Sequence, residues 1–228
     1  MSTELERLEP AGAPTTAAAF VTGLALGDDS GRLGRPRVVA AMIGAADGRA
    51  TVAGGAGGLG SPADREVLRE LRTACDALLV GPGTLVAEAY ATVLDPPQRE
   101  RRRAAGRLEE PLVATISRRG DPALADVPLF AEPGLRIHVY TEADPVPDLA
   151  RGADVAVHAL APGTLTPAAA LAHLHDDLGV RSVLCEGGPT LLRDLVAGGL
   201  VDDLVLTLAP LLVAGEGRSI LQIGRAHV

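Results

Sequence analysis

Two stretches of this chain combine residue types that could hold a phosphate. Leu78-Leu79-Val80 runs into Gly81-Pro82-Gly83-Thr84, and Val183-Leu184-Cys185-Glu186 runs into Gly187-Gly188-Pro189-Thr190. In each, glycines stand just past a short apolar run, and a proline suited to the first turn of a helix follows. Glycine lets a phosphate reach the backbone, and a helix N-terminus offers unpaired N–H groups and the positive end of its dipole. Either stretch alone reads as well as a structural turn, but two in one domain suit a ligand carrying a diphosphate. A third candidate is Thr115-Ile116-Ser117-Arg118-Arg119-Gly120. Its hydroxyl and guanidinium groups at a strand tip suit either an isolated phosphate, such as the 2′-phosphate of NADP, or a solvated turn.

Two carboxylates stand apart from the surface acids. Glu186 lies between an apolar run and a glycine pair, where the backbone has no need of an acid. Asp47 follows another apolar run and precedes Gly48, so it suits either a ribose contact or proton donor, or a plain Asp-Gly turn. Gly55-Ala56-Gly57-Gly58-Leu59-Gly60 satisfies G-x-G-x-x-G literally. It lacks the strong preceding strand and the acid closing the next strand that the dinucleotide fingerprint requires. It reads as a mobile glycine loop over a site, Gly57 included, or as a flexible turn.

Several chemistries are excluded. All 21 basic residues are arginine, which removes Schiff-base enzymes and Walker-type P-loops, both dependent on a lysine amine. His173 and His175 are two apart on a helix and do not share a face, and Cys75 and Cys185 have no Cys-x-x-Cys spacing, so no metal site is expected. Neither the zinc-deaminase signature nor a G-x-S-x-G elbow occurs. Aromatics at 2% and a net charge of −8 argue against a nucleic-acid partner. Residues 1–10 are acidic and polar, unlike a signal peptide, and no apolar run approaches the ~20 residues of a membrane span. A cytoplasmic protein with buried, reduced thiols is expected.

The elements that must position these residues follow from periodicity. The chain has 228 residues, 47% of them hydrophobic, ample for a buried core. Apolar or β-branched runs at 37–43, 77–80, 112–116, 136–140, 155–158, 182–185 and 204–208 read as strands. Helical patterns at 62–73, 167–177 and 189–197 each begin with proline near the first turn. Near-continuous apolar strands alternating with helices predict a layered α/β domain with a mostly parallel sheet. The arginine-rich segment 99–107 reads as a solvated helix or, alternatively, a phosphate-facing loop. Residues 1–34 read as an N-terminal arm with a short helix within 16–26, residues 35–222 as the domain, and residues 223–228 as a possible non-native tail.

Three segments resemble the reductase domain of the riboflavin-pathway deaminase–reductase, a relative of dihydrofolate reductase. Arg35 to Arg49 is similar to that family's strand leading into S-L-D-G-[RK]. Ser61-Pro62, Leu71-Arg72, Asp76 to Gly81, Gly83-Thr84 and Glu88 resemble its helix, strand and G-x-G-T-x-x-x-[DE] turn. Glu186 to Leu191, followed by Leu200 to Leu204 and Ala209-Pro210, resembles E-G-G-P-T-L and the downstream V-D-[DE]-L segment. The resemblance implies a three-layer α/β/α fold with a mixed, mostly parallel sheet, cut short at its C-terminal strands, in a homodimer. It implies NADPH contacts at Thr84, Glu88, Ser117, Gly187, Gly188, Pro189, Thr190 and Leu191, to which the glycine junction and the strand tip add Gly81, Gly83 and Arg118. Substrate contacts fall on Arg72 and Gly57, with Asp47 and Glu186 at the reacting centre. The implied reaction is hydride transfer to the ribosyl C1′ of a 5-amino-6-(5-phosphoribosylamino)uracil-like substrate. A pterin or other heterocycle reductase, or a non-catalytic NADP(H)-binding protein, are the alternatives. The chain departs from the family pattern at Ala45 and Ala46, where Ser and Leu are usual, and at Gly54 to Gly60, where a Ser- and Trp-bearing loop is usual.

Overall fold

The computed structural model describes residues 4–5, 15–26, 34–52, 57–214 and 219. Helix α1 (Ala17–Gly23) is followed by strand β1 (Arg37–Ala45), helix α2 (Pro62–Ala74), strand β2 (Ala77–Leu79) and helices α3 (Pro82–Ala87) and α4 (Pro96–Ala104). Strand β3 (Leu112–Ile116) leads through two short 3₁₀ turns into β4 (Arg136–Thr141) and β5 (Asp154–Ala159). Helix α5 (Pro167–Asp176), strand β6 (Ser182–Cys185), helix α6 (Pro189–Ala197) and strand β7 (Asp203–Ala209) complete the domain.

The seven strands form one sheet in the order β5-β4-β3-β2-β6-β1-β7. All six pairings are parallel, so the antiparallel member expected of a mixed sheet is not among the described strands. Antiparallel contacts occur outside it, between Glu4–Leu5 and Thr15–Thr16 and at the isolated Arg49–Ser219 bridge. The chain steps outward from β2 to β5, then returns to place β6 between β2 and β1. That reversal opens a crevice at the carboxyl ends of β2 and β6, the usual place for a ligand in an open α/β sheet.

Both faces of the sheet are covered. On one, Val38, Ala40, Leu79, Ala114 and Val183 pack under Leu171 and Leu174 of α5 and Leu192 and Leu195 of α6. On the other, Leu78, Val113, Ile137 and Val139 meet Leu85 of α3, Leu124, Leu129 and Phe130. Beside them Val39 and Leu184 meet Leu71 of α2 and Val21 of α1. Residues 15–26, expected to belong to a separate arm, therefore contribute a helix to the core. The tail 223–228 lies outside the described residues. Cys75 and Cys185 are free and buried. Burial pushes both thiols up, Cys185 to about 12, so neither is a ready thiolate.

The arginine-rich segment is a helix with a solvated, ion-paired face: Arg101 pairs with Glu70, and Arg103 with Glu100 and Glu109. Arg102 departs from that reading. It is 2% exposed and donates to the carbonyls of Leu108, Thr73 and Cys75 at 2.6–2.9 Å, closing the C-terminal end of α2. A second buried polar group sits at the far end of the sheet. His138 and Tyr140 of β4 stack on His158 of β5, and His173 of α5 packs against them with its ring tilted. His138–His158 and Tyr140–His173 hydrogen bonds of 2.9 Å each join the group.

Candidate active site

A cavity of about 530 Å³ opens where β1, β2, β6 and β7 end. Its lining includes Met42, Gly57, Asp64, Arg65, Arg72, Gly83, Thr84, Glu88, Tyr90, Gly187, Gly188, Pro189 and Thr207, with Glu186 among them.

The two glycine junctions meet at its edge. Gly81 N–H donates to the Gly187 carbonyl at 2.7 Å. A Cβ on Gly188 would lie 3.3 Å from the Gly81 Cα, and one on Gly187 would lie 2.9 Å from the Met42 Cε. Gly187 and Gly188 also adopt φ of +94° and +76°, conformations that an L side chain rarely takes. Glycine is thus required here both by the backbone angles and by the contact between the two turns.

The helices that leave these turns start unusually. Thr16, Ser61, Asp95 and Thr166 each cap their helix with a side-chain oxygen. α3 and α6 begin on Gly81 and Gly188, with no side-chain cap. A helix leaves its first N–H groups without intrahelical partners. Here proline removes one from each first turn, and Thr84 already donates to the Gly81 carbonyl at 3.0 Å. The Gly83 and Leu191 amides are therefore the ones presented to whatever fills the crevice. That donor set fits the phosphates of a dinucleotide. Thr190 and Leu191 lie in the first turn of α6; the Leu191 side chain is buried in the core, so only its backbone could serve a ligand.

Beside the turns stands a wall of three side chains. Arg72, in the last turn of α2, grips Glu186 with two hydrogen bonds, Nε to Oε1 at 2.6 Å and Nη2 to Oε2 at 2.5 Å. Tyr90 donates its hydroxyl to the same Oε2 at 2.7 Å, and the guanidinium lies 5.5 Å from the Tyr90 ring centroid. The Glu186 side chain is 4% exposed. The Glu186 charge holds the Arg72 guanidinium strongly protonated against the opposing cost of burial. Burial first, and then the carboxylate, keep the Tyr90 hydroxyl protonated far above the usual phenol range. This bidentate pair is a fixed, charge-compensated surface.

Other expected residues lie elsewhere. Asp47 does not line the cavity. Its carboxylate accepts from the amides of Val213 and Ala214 at 3.0 and 2.8 Å, and these bonds, Ala214 foremost, hold its pKa below the ordinary range. With Gly48 at φ +80°, this is the Asp-Gly turn reading, tied to the chain after β7. The Ser117 hydroxyl accepts from the Asp121 amide at 2.9 Å, and Arg118 pairs with Glu142 and donates to the Leu165 carbonyl. Neither lines the cavity. Of the glycine loop, residues 53–56 lie outside the described residues, while Gly57 and Gly60 border the cavity.

Sequence reasoning missed Tyr90, Asp64 and Thr207. Tyr90 is one of only two tyrosines in the chain, a signal in so aromatic-poor a sequence. Asp64 lies in the first turn of α2, where an acid is explained by the helix dipole. Thr207 interrupts the leucines of β7 and donates to Asp64 Oδ1 at 2.6 Å. Among the described residues no group of three or more His, Cys, Asp or Glu could hold a metal, and no helix is long and apolar enough to cross a membrane.

Known proteins agree with this architecture. A reductase from Methanothermobacter thermautotrophicus, named for 2,5-diamino-6-ribosylamino-4(3H)-pyrimidinone 5′-phosphate, is 29% identical over 189 residues, covering 80% of this chain and 81% of its own. A protein of the same name from Archaeoglobus fulgidus is 31% identical over 67% of this chain and 70% of its own. The crystal structure of a pyrimidine reductase-like protein from Corynebacterium diphtheriae superposes with a TM-score of 0.67 at 26% identity, covering 87% of this chain and 83% of that one. The family model described as the RibD C-terminal domain matches residues 36–226, and the chain belongs to that family.

Proposed function

We propose that this protein is an NADPH-dependent reductase of riboflavin biosynthesis, acting on a ribosylaminopyrimidine 5′-phosphate. The observation that carries the reading is the pair of uncapped glycine turns meeting beside a cavity walled by Arg72, Glu186 and Tyr90. The family and its reductase relatives support it. NADPH, when bound, supplies a hydride for the ribosyl C1′. With that hydride the C1′–O4′ bond would break, O4′ would take a proton from solvent, and the product would be the ribityl compound.

The residues divide this work by position. The backbone N–H groups of Gly83 and Gly188, with the first turn of α6 through Thr190 and Leu191, face the cofactor diphosphate. Gly81, Thr84, Gly187 and Pro189 shape the two turns that hold it, and Glu88 stands near its sugar. Ser117 and Arg118 stand at the neighbouring strand tip, where the exposed Arg118 would meet a 2′-phosphate beside its Glu142 pair. Arg65 lines the cavity without an ion-pair partner among the described residues and donates to the Gly60 carbonyl at 3.1 Å, so it is a cation available to the substrate. Arg72 is already committed to Glu186. As the sugar ring opens, positive charge develops at C1′, and the immobilised Glu186 carboxylate opposes it without reorganisation.

Fluorescence titration with NADPH, followed by loss of its absorbance on adding substrate, tests the proposal. Glu186→Gln should lower turnover about 10²-fold with nucleotide affinity within about 3-fold. A chain that binds neither NADPH nor NADP⁺ would end the reading, and tight binding with no turnover of pyrimidine or pterin substrates would make it a binding protein. The protein is proposed to act in the cytoplasm as a homodimer. Leu204, Leu206 and Leu208 are 42–66% exposed along edge strand β7, an apolar row that a second copy would cover. Sedimentation of Leu206→Glu as a monomer, against a dimeric parent, is the expected result.

A further inference from the structure

The reading above leaves the pyrimidine C2 substituent open: the aminouracil carries an oxo group there and the diaminopyrimidinone an amino group. We infer that Asp64 reads this position and selects the 2-amino form. The inference rests on the proposed reductase function and concerns only its substrate.

The cavity has two ends. The glycine turns occupy the end at β2 and β6, and the other end is bordered by Gly57, Gly60, Asp64 and Thr207. With the cofactor phosphates on the turns, the heterocycle falls to the second end. There Thr207 Oγ1 donates to Asp64 Oδ1 at 2.6 Å, fixing the carboxylate from the neighbouring strand. Oδ2 receives no hydrogen bond from any described residue. It lies 3.2 Å from where a Cβ of Gly60 would stand, so a side chain at Gly60 would crowd that oxygen, and both residues border the cavity.

An ionised carboxylate is an acceptor only, with about four lone-pair sites on its two oxygens. A pyrimidinone with a 2-amino group and N3–H presents two adjacent donors, which match two carboxylate oxygens side by side. Replacing the amino group by oxo removes one of those donors and sets a carbonyl oxygen against the negative charge. Sites built around a hydrogen bond reject the mismatched analogue far more strongly than apolar pockets reject a missing methylene. The repulsive contact adds to the lost one, and a preference of about 10²-fold is expected.

The test compares kcat/KM for the 2-amino and 2-oxo ribosylaminopyrimidine phosphates with NADPH, together with calorimetric affinity for each compound without cofactor. The wild type should favour the 2-amino compound by 10-fold or more in both measurements. Asp64→Asn offers one donor and one acceptor, the complement of the C2-oxo and N3–H edge, and should lower the ratio at least 10-fold or invert it. Thr207→Val, which leaves the carboxylate in place but unclamped, should lower the ratio several-fold; it carries the test should Asp64→Asn not fold. A wild-type ratio below 10, or one that folded variants leave unchanged, overturns the assignment of Asp64 while the reductase stands. Turnover of neither compound overturns the reductase reading, and this inference with it.

Discussion

Among the described α-helices, four start on a side chain that caps them and two start on bare glycine. The capped helices α1, α2, α4 and α5 satisfy their own first turn with Thr16, Ser61, Asp95 and Thr166. At α4 the cap is reciprocal, since Gln98 returns a bond to the Asp95 amide at 2.9 Å. The uncapped helices α3 and α6 cover opposite faces of the sheet, and the turns that lead into them meet where the sheet order reverses. First-turn amides therefore meet a side-chain cap in one set, while in the other the Gly83 and Leu191 amides are left for a ligand. A missing cap marks the site better than the glycine motif itself, because glycines also serve ordinary turns in this chain.

The contrast can be broken most severely at Gly188. Gly188→Ala puts a Cβ against the Gly81 Cα at a φ of +76° and should pry the two turns apart. NADP⁺ affinity, measured by calorimetry, should fall at least 10-fold. An affinity left intact would show that the turns do not hold the cofactor.

A pH titration tests whether the far end of the sheet is independent of those turns. Burial foremost, aided by His158 and His173, pushes His138 down to about 4, and burial also lowers His158. The unfolded chain takes up these protons near pH 6.5, but the native cluster resists until about pH 4. The unfolded state thus binds more protons within that window, and stability must fall as the pH drops through it. Thermal melts should show the decline, and His138→Phe should flatten it while leaving NADP⁺ affinity at neutral pH unchanged.

The smallest effect is expected at a capped helix. Asp95→Ala removes the side-chain half of the α4 capping box, leaving the bond from the residue-95 amide to Gln98, and should cost about 1 kcal/mol in urea denaturation. Nucleotide affinity should not change. A loss of binding comparable to that of Gly188→Ala would erase the distinction between the two sets of helices.

Much of the scaffold was legible because its punctuation is local. Leu112–Ile116, Ser182–Cys185 and Pro189–Ala197 fall on the residues expected, each bounded by proline, glycine or a charged break. The glycine junctions were legible for the same reason. Groups whose meaning depends on a distant partner were not. Asp47 looked available until the amides after β7 were seen to hold it, and Arg118 until Glu142 did. Arg102 looked like one charge among five, yet it closes carbonyls from a different helix. Helix α1 was visible, but not that Val21 packs into the same cluster as Leu184.

Placing β6 between β1 and β2 also sets the order in which this chain can fold as it is made. Among the described strands β1 pairs with β6 and β7 alone, both of which emerge after nearly the whole domain. At ribosomal rates the apolar strand Arg37–Ala45 waits on the order of ten seconds for its first neighbour. Meanwhile β2 to β5 can assemble as a sheet whose open edge later receives β6. Closing so long a loop is slow, and pulse-labelled hydrogen exchange should find β1 amides protected last. The strand order that creates the crevice thus makes the nascent chain carry an unpaired hydrophobic strand through most of its synthesis, where chaperone capture and aggregation compete with folding.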